Sequence, residues 1–275
     1  MTTIRLEGVG FVYPDGTRAL DGVDLEIAGG SSVAIVGQNG SGKSTLVRQL
    51  DGLLRPTEGR VLHDGVDILD RRVAALSASV GIVFQNPDRQ IFAGKVRDEV
   101  AFGPRILGRS DAQAETAVDA ALAAVGLEAV AGDNPYDLGY SRRKLLALAS
   151  ILAMETPILI LDEPTTGQDA SGIERVQRVV ADVVAAGRTV IAISHDMRFV
   201  AESFERVVVM GAGRVLLDGS PAEVFAESAW PTLASTFLEP PYAARVGARL
   251  GLGSTPTETS VVAALAASGA PRVSP

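Results

Sequence analysis

Four short runs of β-branched and other apolar residues stand out along the chain, each bounded by turn residues. They cover residues 32–36, 80–84, 158–161 and 189–194. Near-continuous apolar runs of this length are typical of strands that are buried on both faces of a parallel sheet. Ala-rich stretches with helical periodicity lie between them, for example at 111–125. Strands that alternate with helices predict an α/β layer fold.

The first thirty residues follow a different pattern. Residues 3–6 and 23–27 alternate apolar and polar side chains, which predicts an antiparallel sheet beside the main one. Residues 87–155 are mostly helical and lie between two buried runs, so we expect an inserted helical subdomain. After Pro221 the chain contains short helical stretches and no buried strand. The pattern therefore predicts a main domain over 1–220 and a small helical extension over 221–275.

Composition narrows the classes of function. The 275 residues include 25 Lys plus Arg against 33 Asp plus Glu, a net charge of −8 that argues against general nucleic-acid binding. The absence of cysteine excludes disulfides, thiolate zinc sites and cysteine nucleophiles. The longest apolar run, 145–154, is about half the length of a membrane-spanning helix. Because the N-terminus lacks a signal-peptide pattern, we expect a soluble, cytoplasmic chain.

A phosphate-loop motif follows the first buried run. It matches G-x-x-x-x-G-K-[ST] and consists of Gly37, Gln38, Asn39, Gly40, Ser41, Gly42, Lys43, Ser44 and Thr45. A strand before the motif and an amphipathic helix after it are the context that the motif requires. Glycines let the backbone N–H groups wrap phosphates at a helix N-terminus, Lys43 reaches the β- and γ-phosphates, and the Ser44 hydroxyl ligates Mg²⁺.

Polar side chains end the other buried runs. The run 158–161 leads into Asp162 and Glu163, a pair suited to hold Mg²⁺ and to act as a general base toward water. Gln85 and His195 follow two further runs, where Gln85 can contact Mg²⁺ and water and His195 faces the ligand crevice. We expect these four side chains to share the nucleotide site with Lys43.

These features resemble the ATP-binding subunit of an ABC transporter over residues 3–220. The resemblance implies that Tyr13 stacks on adenine and that Asp169 crosses a dimer interface. Residues 84–90, Phe-Gln-Asn-Pro-Asp-Arg-Gln, are similar to a segment of the energy-coupling-factor transporter ATPases, which include the cobalt and nickel type. The tail 238–245, Leu-Glu-Pro-Pro-Tyr-Ala-Ala-Arg, resembles the C-terminal extension of those proteins.

One motif departs from the family. The signature Leu-Ser-Gly-Gly-Gln, whose serine and glycines bind the γ-phosphate held by the opposite subunit, aligns with Leu138, Gly139, Tyr140, Ser141 and Arg142. The basic residues 142–144 then occupy the first turn of a helix, where the macrodipole disfavours cations. Two interpretations stay open: a solvated basic patch, or cations that engage ATP phosphates or another subunit. Because each site pairs one phosphate loop with the partner's signature, we expect an asymmetric heterodimer.

Together, the pattern and the resemblance predict a P-loop NTPase of the ABC type. Its expected architecture is a mixed central sheet with an antiparallel β subdomain, a helical subdomain and a C-terminal helical extension. The implied function is Mg²⁺-dependent ATP hydrolysis that energises an importer of a vitamin, cobalt or nickel. The implied partners are a second ATPase, a membrane coupling subunit and a substrate-binding membrane subunit, with the chain peripheral on the cytoplasmic face. A soluble ABC-type ATPase, a non-hydrolysing regulatory subunit and, least favoured, a P-loop kinase or GTPase remain alternatives.

Overall fold

A six-stranded sheet lies at the centre of the chain in the computed structural model, which describes residues 2–268. Its strands are β3 (Ser32–Val36), β6 (Val80–Val83), β7 (Ile158–Asp162), β8 (Thr189–Ile193), β9 (Arg206–Gly211) and β10 (Arg214–Gly219). They lie in the order β10-β9-β3-β8-β7-β6, and every pair is parallel except β10 with β9. The four apolar runs are thus four neighbouring strands, and the predicted mixed sheet is confirmed.

A second, antiparallel sheet carries the N-terminal part of the chain. It consists of β1 (Ile4–Val12), β2 (Arg18–Ile27), β4 (Glu58–His63) and β5 (Val66–Asp67), in the order β2-β1-β4-β5. The alternating pattern predicted β1 and β2 but shortened both, and it did not predict β4. The first three residues of β4, Glu58, Gly59 and Arg60, are exposed, so the strand contains no apolar run. Pairing with β1 holds it in the sheet.

Two apolar cores lie on opposite faces of the central sheet. Val33 and Ile35 of β3 pack into the core shared with the antiparallel sheet. Ala34 and Val36, one residue further along, pack into the core shared with the helices. Because successive side chains of a strand point to opposite faces, each central strand contributes to both cores. This double burial explains why these strands read as continuous apolar runs.

Helices pack on both faces of the central sheet: the first two join the core shared with the antiparallel sheet, and the next five join the core on the other face. They are α1 (Lys43–Leu50), α2 (Val73–Ser77), α3 (Val96–Ile106), α4 (Asp111–Val125), α5 (Tyr140–Leu152), α6 (Ala170–Ala185) and α7 (Met197–Ser203). The helices α3, α4 and α5 pack together within the segment 87–155. α4 begins where the sequence predicts, because Ser110 and Gln113 form a reciprocal capping box.

Short helices form the C-terminal part of the chain. They are α8 (Pro221–Val224), α9 (Trp230–Ser235), α10 (Tyr242–Arg249) and α11 (Glu258–Ala267). Residues 269–275 of the predicted extension lie outside the described residues. None of the helices within 2–268 combines the length and the apolar character needed to cross a bilayer.

A buried carboxylate at the end of α1 makes stability depend on pH. Burial raises the pKa of Asp51 from 3.8 to about 6, although its Oδ1 accepts a hydrogen bond from the Leu53 N–H (2.8 Å). Between these pKa values the native state binds more protons than the unfolded state, so the free energy of unfolding falls as pH rises. Asp51→Asn keeps an acceptor and removes the charge.

We expect the free energy of unfolding of Asp51→Asn to rise relative to wild type by about 1–1.5 kcal/mol between pH 5 and pH 7.5. Urea denaturation of both proteins at the two pH values measures this difference. A difference between the two proteins that does not change with pH would contradict the burial of a charged Asp51.

Candidate functional site

The loop between β3 and α1 contains the predicted phosphate-loop residues. Gly42 precedes the first helical residue in a left-handed conformation (φ +100°), and a Cβ atom there would lie 2.5 Å from the Ala19 carbonyl oxygen. The buried Lys43 ammonium donates hydrogen bonds to the carbonyl oxygens of Gly37 (2.7 Å) and Gln38 (2.8 Å). The ammonium and the N–H groups of the first helical turn therefore converge inside one loop, an arrangement that suits phosphate.

A cavity of about 290 Å³ opens beside this loop, at the carboxyl ends of β3, β6 and β7. It brings together ten of the predicted site residues: Tyr13, Asn39, Gly40, Gly42, Lys43, Ser44, Thr45, Gln85, Asp162 and Glu163. Ligand sites of open α/β sheets lie at this edge. The predicted signature residues and Asp169 do not line the cavity.

Tyr13 lies where the antiparallel sheet meets the phosphate loop. Its hydroxyl is 3.0 Å from Thr45 Oγ1, and its ring meets the Phe11 ring edge-on with centroids 4.9 Å apart. The aromatic ring is thus fixed at the border of the cavity by one polar and one apolar contact.

The end of β7 places two carboxylates at the cavity. Glu163 has a left-handed backbone (φ +51°), and its side chain is 13% exposed. His195 Nδ1 lies 2.7 Å from Glu163 Oε2, and the His195 side chain is 67% exposed. Because a carboxylate only accepts hydrogen bonds, Nδ1 carries the hydrogen in this contact. His195 therefore orients Glu163 while most of its own ring stays exposed.

Electrostatic coupling links the phosphate loop to these carboxylates. Burial raises the pKa of Asp162, and the charge of Glu163 raises it further. Burial also lowers the pKa of Lys43, an effect that the charges of Glu163 and Asp162 oppose. A buried cation thus faces two carboxylates across the cavity, and a divalent cation or a phosphate would change the balance between them.

A groove of about 610 Å³ adjoins the cavity and shares Gln85 and Asp162 with it. Its other lining residues include Leu53 and Phe84, which are 57% and 36% exposed. The segment after β6 that forms this groove is attached to α5, because Gln90 Nε2 donates to the Ala147 carbonyl oxygen at 2.8 Å. The groove is therefore connected to α5, the helix that begins with the altered signature, by a direct contact.

The altered signature segment forms the start of α5. Gly139 precedes the helix, and the Tyr140 ring covers Gly167, where a Cβ atom would lie 2.7 Å from the ring. Ser141 Oγ donates to Gln168 Oε1 (2.6 Å), and Gln168 Nε2 donates back to the Ser141 carbonyl oxygen (3.1 Å). The signature segment is thus joined to the loop that follows Glu163 in the same chain.

The three basic residues of this segment have three different surroundings. Arg142 is exposed, and with Asp169 and Ser141 it borders a second cavity of about 170 Å³. Arg143 forms an ion pair with Asp88 (Nε–Oδ1 3.0 Å). Lys144 is only 3% exposed. The solvated-patch interpretation is wrong for Lys144, because the α5 register turns its ammonium into the protein, where it donates to the Glu163 carbonyl oxygen.

Two residues at the site, Arg18 and Lys144, could not be predicted from any local sequence motif. Arg18 lines the cavity and pairs with Glu58 (Nη2–Oε1 2.9 Å). It reaches this position because β1 and β2 pair in a register that sets Val12 opposite Arg18. Lys144, described above, approaches Glu163 only through the packing of α5. Both positions depend on tertiary contacts rather than on a local motif.

Comparison with known proteins decides the family. The sequence model of the ABC transporter family matches residues 20–166. The chain belongs to the ABC transporter ATP-binding family. This membership confirms the sequence-based assignment to the ABC ATPases and the fold class predicted with it.

Two similar proteins point to one branch of the ABC ATPases. The energy-coupling factor transporter ATP-binding protein EcfA of Methanothermobacter thermautotrophicus is 40% identical over 227 residues, which are 82% of this chain and 73% of EcfA. The structure of CbiO1 from Clostridium perfringens, described as part of the ABC transporter complex CbiONQ, superposes with a TM-score of 0.76. It is 35% identical, and the match covers 90% of this chain and 98% of CbiO1.

Some relatives are longer than this chain. An ABC transporter ATP-binding protein of Methanosarcina acetivorans is 44% identical over 243 residues, which are 88% of this chain and 39% of the relative. The present ABC ATPase therefore spans about two fifths of that protein's length.

Proposed function

We propose that this chain binds and hydrolyses ATP as the energising subunit of a transporter of the energy-coupling-factor type. The observation that supports this most strongly is the single cavity shared by Lys43, Asp162 and Glu163. It brings a phosphate-binding lysine, a candidate metal ligand and a candidate general base together at one edge of the sheet. The names of the similar EcfA and CbiO1 proteins support the subtype.

Each residue has a role that its position supports. Lys43 and the loop N–H groups hold the phosphate oxygens, and the Tyr13 ring contacts the base at the border of the cavity. Glu163, oriented by the 2.7 Å contact with His195, accepts a proton from water. The exposed ring of His195 faces the terminal phosphate.

The residues present also suit Mg²⁺. Ser44, Gln85 and Asp162 offer a hydroxyl, an amide and a carboxylate oxygen on one cavity, the hard oxygen ligands that this ion prefers. When bound with nucleotide, Mg²⁺ neutralises charge on the phosphate oxygens.

We propose a heterodimer in which a partner ATPase supplies an intact signature to the ATP held by this chain. The chain's own signature offers Tyr140 where the family has a glycine, and its Ser141 hydroxyl is engaged by Gln168. Gly139 and Arg142 complete the altered segment. Asp169 and Arg142, which border the second cavity, lie on the surface that meets the partner.

The groove beside Gln85 is the proposed docking site for a helix of an integral membrane subunit. Leu53 and Phe84 expose apolar surface there, next to the cationic Arg89. Such attachment places the chain at the cytoplasmic face of the membrane. The cargo proposed on the basis of the subtype is a micronutrient such as a vitamin, cobalt or nickel, bound by a separate membrane subunit.

The test is purification of the affinity-tagged chain from detergent-solubilised membranes, with mass spectrometry of the bound proteins. We expect a second ATPase and an integral membrane protein, and a higher ATPase rate for the complex than for the chain alone. Recovery without any integral membrane protein would favour a soluble ABC-type ATPase. A homodimer that hydrolyses ATP at the full rate of the mixed pair would contradict the heterodimer.

A charge in the groove gives a sharper version of this experiment. We expect Leu53→Asp to reduce recovery of the membrane subunit by about tenfold, because it places a carboxylate on a surface that must be desolvated. Leu69→Asp is the matched control, since Leu69 is also exposed (42%) but lies on the antiparallel subdomain. Equal recovery with both variants would contradict docking at the groove.

A further inference from the structure

Lys144 is a buried cation that the proposed mechanism does not use. It is one of only three lysines in the chain, with Lys43 and Lys95. Its ammonium donates hydrogen bonds to the carbonyl oxygens of Glu163 and of Thr166 (3.0 Å). An ammonium is costly to bury without such partners, so the position of these two carbonyls is tied to Lys144.

The backbone that Lys144 holds is strained. Glu163 has φ +51°, a left-handed conformation that is unfavourable for a residue with a Cβ atom. Three short hydrogen bonds maintain it, beside two of 3.4 Å from the Thr166 N–H to the Glu163 carbonyl oxygen and from the His195 N–H to Glu163 Oε2. The Glu163 N–H donates to the Ile193 carbonyl oxygen (2.9 Å), the carboxylate meets His195 Nδ1, and Lys144 holds the Glu163 carbonyl. Without Lys144 the Glu163 carbonyl keeps only the longer hydrogen bond from the Thr166 N–H (3.4 Å), and the strained conformation loses support.

A second contact joins the same two segments. The reciprocal hydrogen bonds between Ser141 and Gln168 lie one helical turn before Lys144 and five residues after Glu163. The start of α5 is therefore attached at two points to the residues 163–168. The start of α5, which the proposed function assigns to the surface that meets the partner, thus also contacts the backbone of Glu163 and the loop that follows it in the same chain.

We propose that Lys144 is a positioning residue that keeps Glu163 in the orientation needed for ATP hydrolysis in its own chain. This inference rests on the proposed function, because it assigns Lys144 to the same site. The signature segment then has two tasks: one face meets the partner subunit, and the Lys144 side chain supports the general base. Lys144 contacts neither nucleotide nor water and acts only through Glu163.

Three variants in the purified complex test this role. Lys144→Met removes the ammonium and keeps much of the chain length. Lys144→Gln keeps N–H donors on a side chain one bond shorter. Lys95→Met is the matched control, because it removes the same charge from an exposed lysine just before α3. Steady-state hydrolysis gives kcat and KM, and a fluorescent ATP analogue measures binding without turnover.

We expect Lys144→Met to lower kcat by about 10- to 100-fold, in the range of effects of a displaced general base. ATP binding and KM stay within about twofold, since the phosphate loop is not touched. Lys144→Gln loses less than Lys144→Met, and Lys95→Met matches wild type. If Lys144→Met does not fold, Lys144→Gln takes its place in each comparison and is still expected to fall below wild type.

A double-mutant cycle separates positioning from a merely structural role. If Lys144 acts through Glu163, Lys144→Met in a Glu163→Gln background is no slower than Glu163→Gln alone. The inference would be overturned if the losses in kcat from Lys144→Met and Glu163→Gln multiplied in the double variant. A loss of ATP affinity that parallels the loss of kcat, or full kcat in both Lys144 variants, would also overturn it. If the wild-type complex hydrolyses no ATP, the proposed function fails and the role of Lys144 fails with it. An active wild type with fully active Lys144 variants refutes the role of Lys144 alone.

Discussion

Replacing Glu163 by glutamine is expected to lower the rate of ATP hydrolysis by about 10²- to 10⁴-fold while ATP binding is retained. The glutamine amide fills the same space and its oxygen still accepts the hydrogen bond from His195 Nδ1, so the geometry of the site is kept. Only the capacity to accept a proton from water is lost.

Single-turnover hydrolysis of radiolabelled ATP by wild type and Glu163→Gln, each mixed with the partner ATPase, measures this effect. Glu227→Gln is the control, because it removes an exposed carboxylate from the C-terminal region. Equal rates for wild type and Glu163→Gln would favour the non-hydrolysing regulatory alternative. Binding of a fluorescent ATP analogue, measured in parallel, shows whether the variant site is intact.

Lys43→Met is expected to weaken ATP binding by about 10- to 100-fold, the effect of losing one or more hydrogen bonds to a charged group. The buried ammonium lies inside the phosphate loop and donates to the backbone carbonyls that shape it. Methionine has a similar length but cannot donate to a phosphate oxygen.

Calorimetric or fluorescence titration with ATP gives the dissociation constants of wild type and Lys43→Met. Lys95→Met serves as the control for loss of one positive charge. Thermal unfolding of each protein separates weaker binding from loss of the fold, since the Lys43→Met substitution also removes the hydrogen bonds from the ammonium to the Gly37 and Gln38 carbonyls. Unchanged ATP affinity in a folded Lys43→Met protein would contradict the phosphate-binding role.

The central sheet could be predicted from the sequence because its strands are buried on both faces. β3 and β8 consist entirely of buried residues, and such strands leave continuous apolar runs. α4 could be predicted to the residue, because the capping box at Ser110 lies next to a periodic pattern. β4 could not, since its exposed charged residues owe their strand conformation to pairing with β1.

Some residues of the candidate site could likewise be predicted from the sequence, and others could not. Lys43 and Asp162 could be predicted because each lies in a local motif at the end of a buried strand. The Glu163–His195 contact depends on β7 and β8 being neighbours, which no local pattern specifies. For Lys144 the sequence showed only a basic run, and the α5 register decides that one of its three cations is buried.

The attachment of the groove to α5 has a further consequence. Gln90 holds the Ala147 carbonyl, and Lys144, one turn earlier on the same helix, holds the Glu163 carbonyl. A ligand in the groove that shifts Gln90 therefore has two possible effects. It breaks the hydrogen bond between Gln90 and the Ala147 carbonyl, or it moves α5 and with it the contact of Lys144 with the Glu163 carbonyl. If the groove ligand and ATP favour different arrangements of α5, one coupling free energy links the two binding events. The groove ligand then changes the affinity for ATP by the same factor by which ATP changes the affinity for the groove ligand.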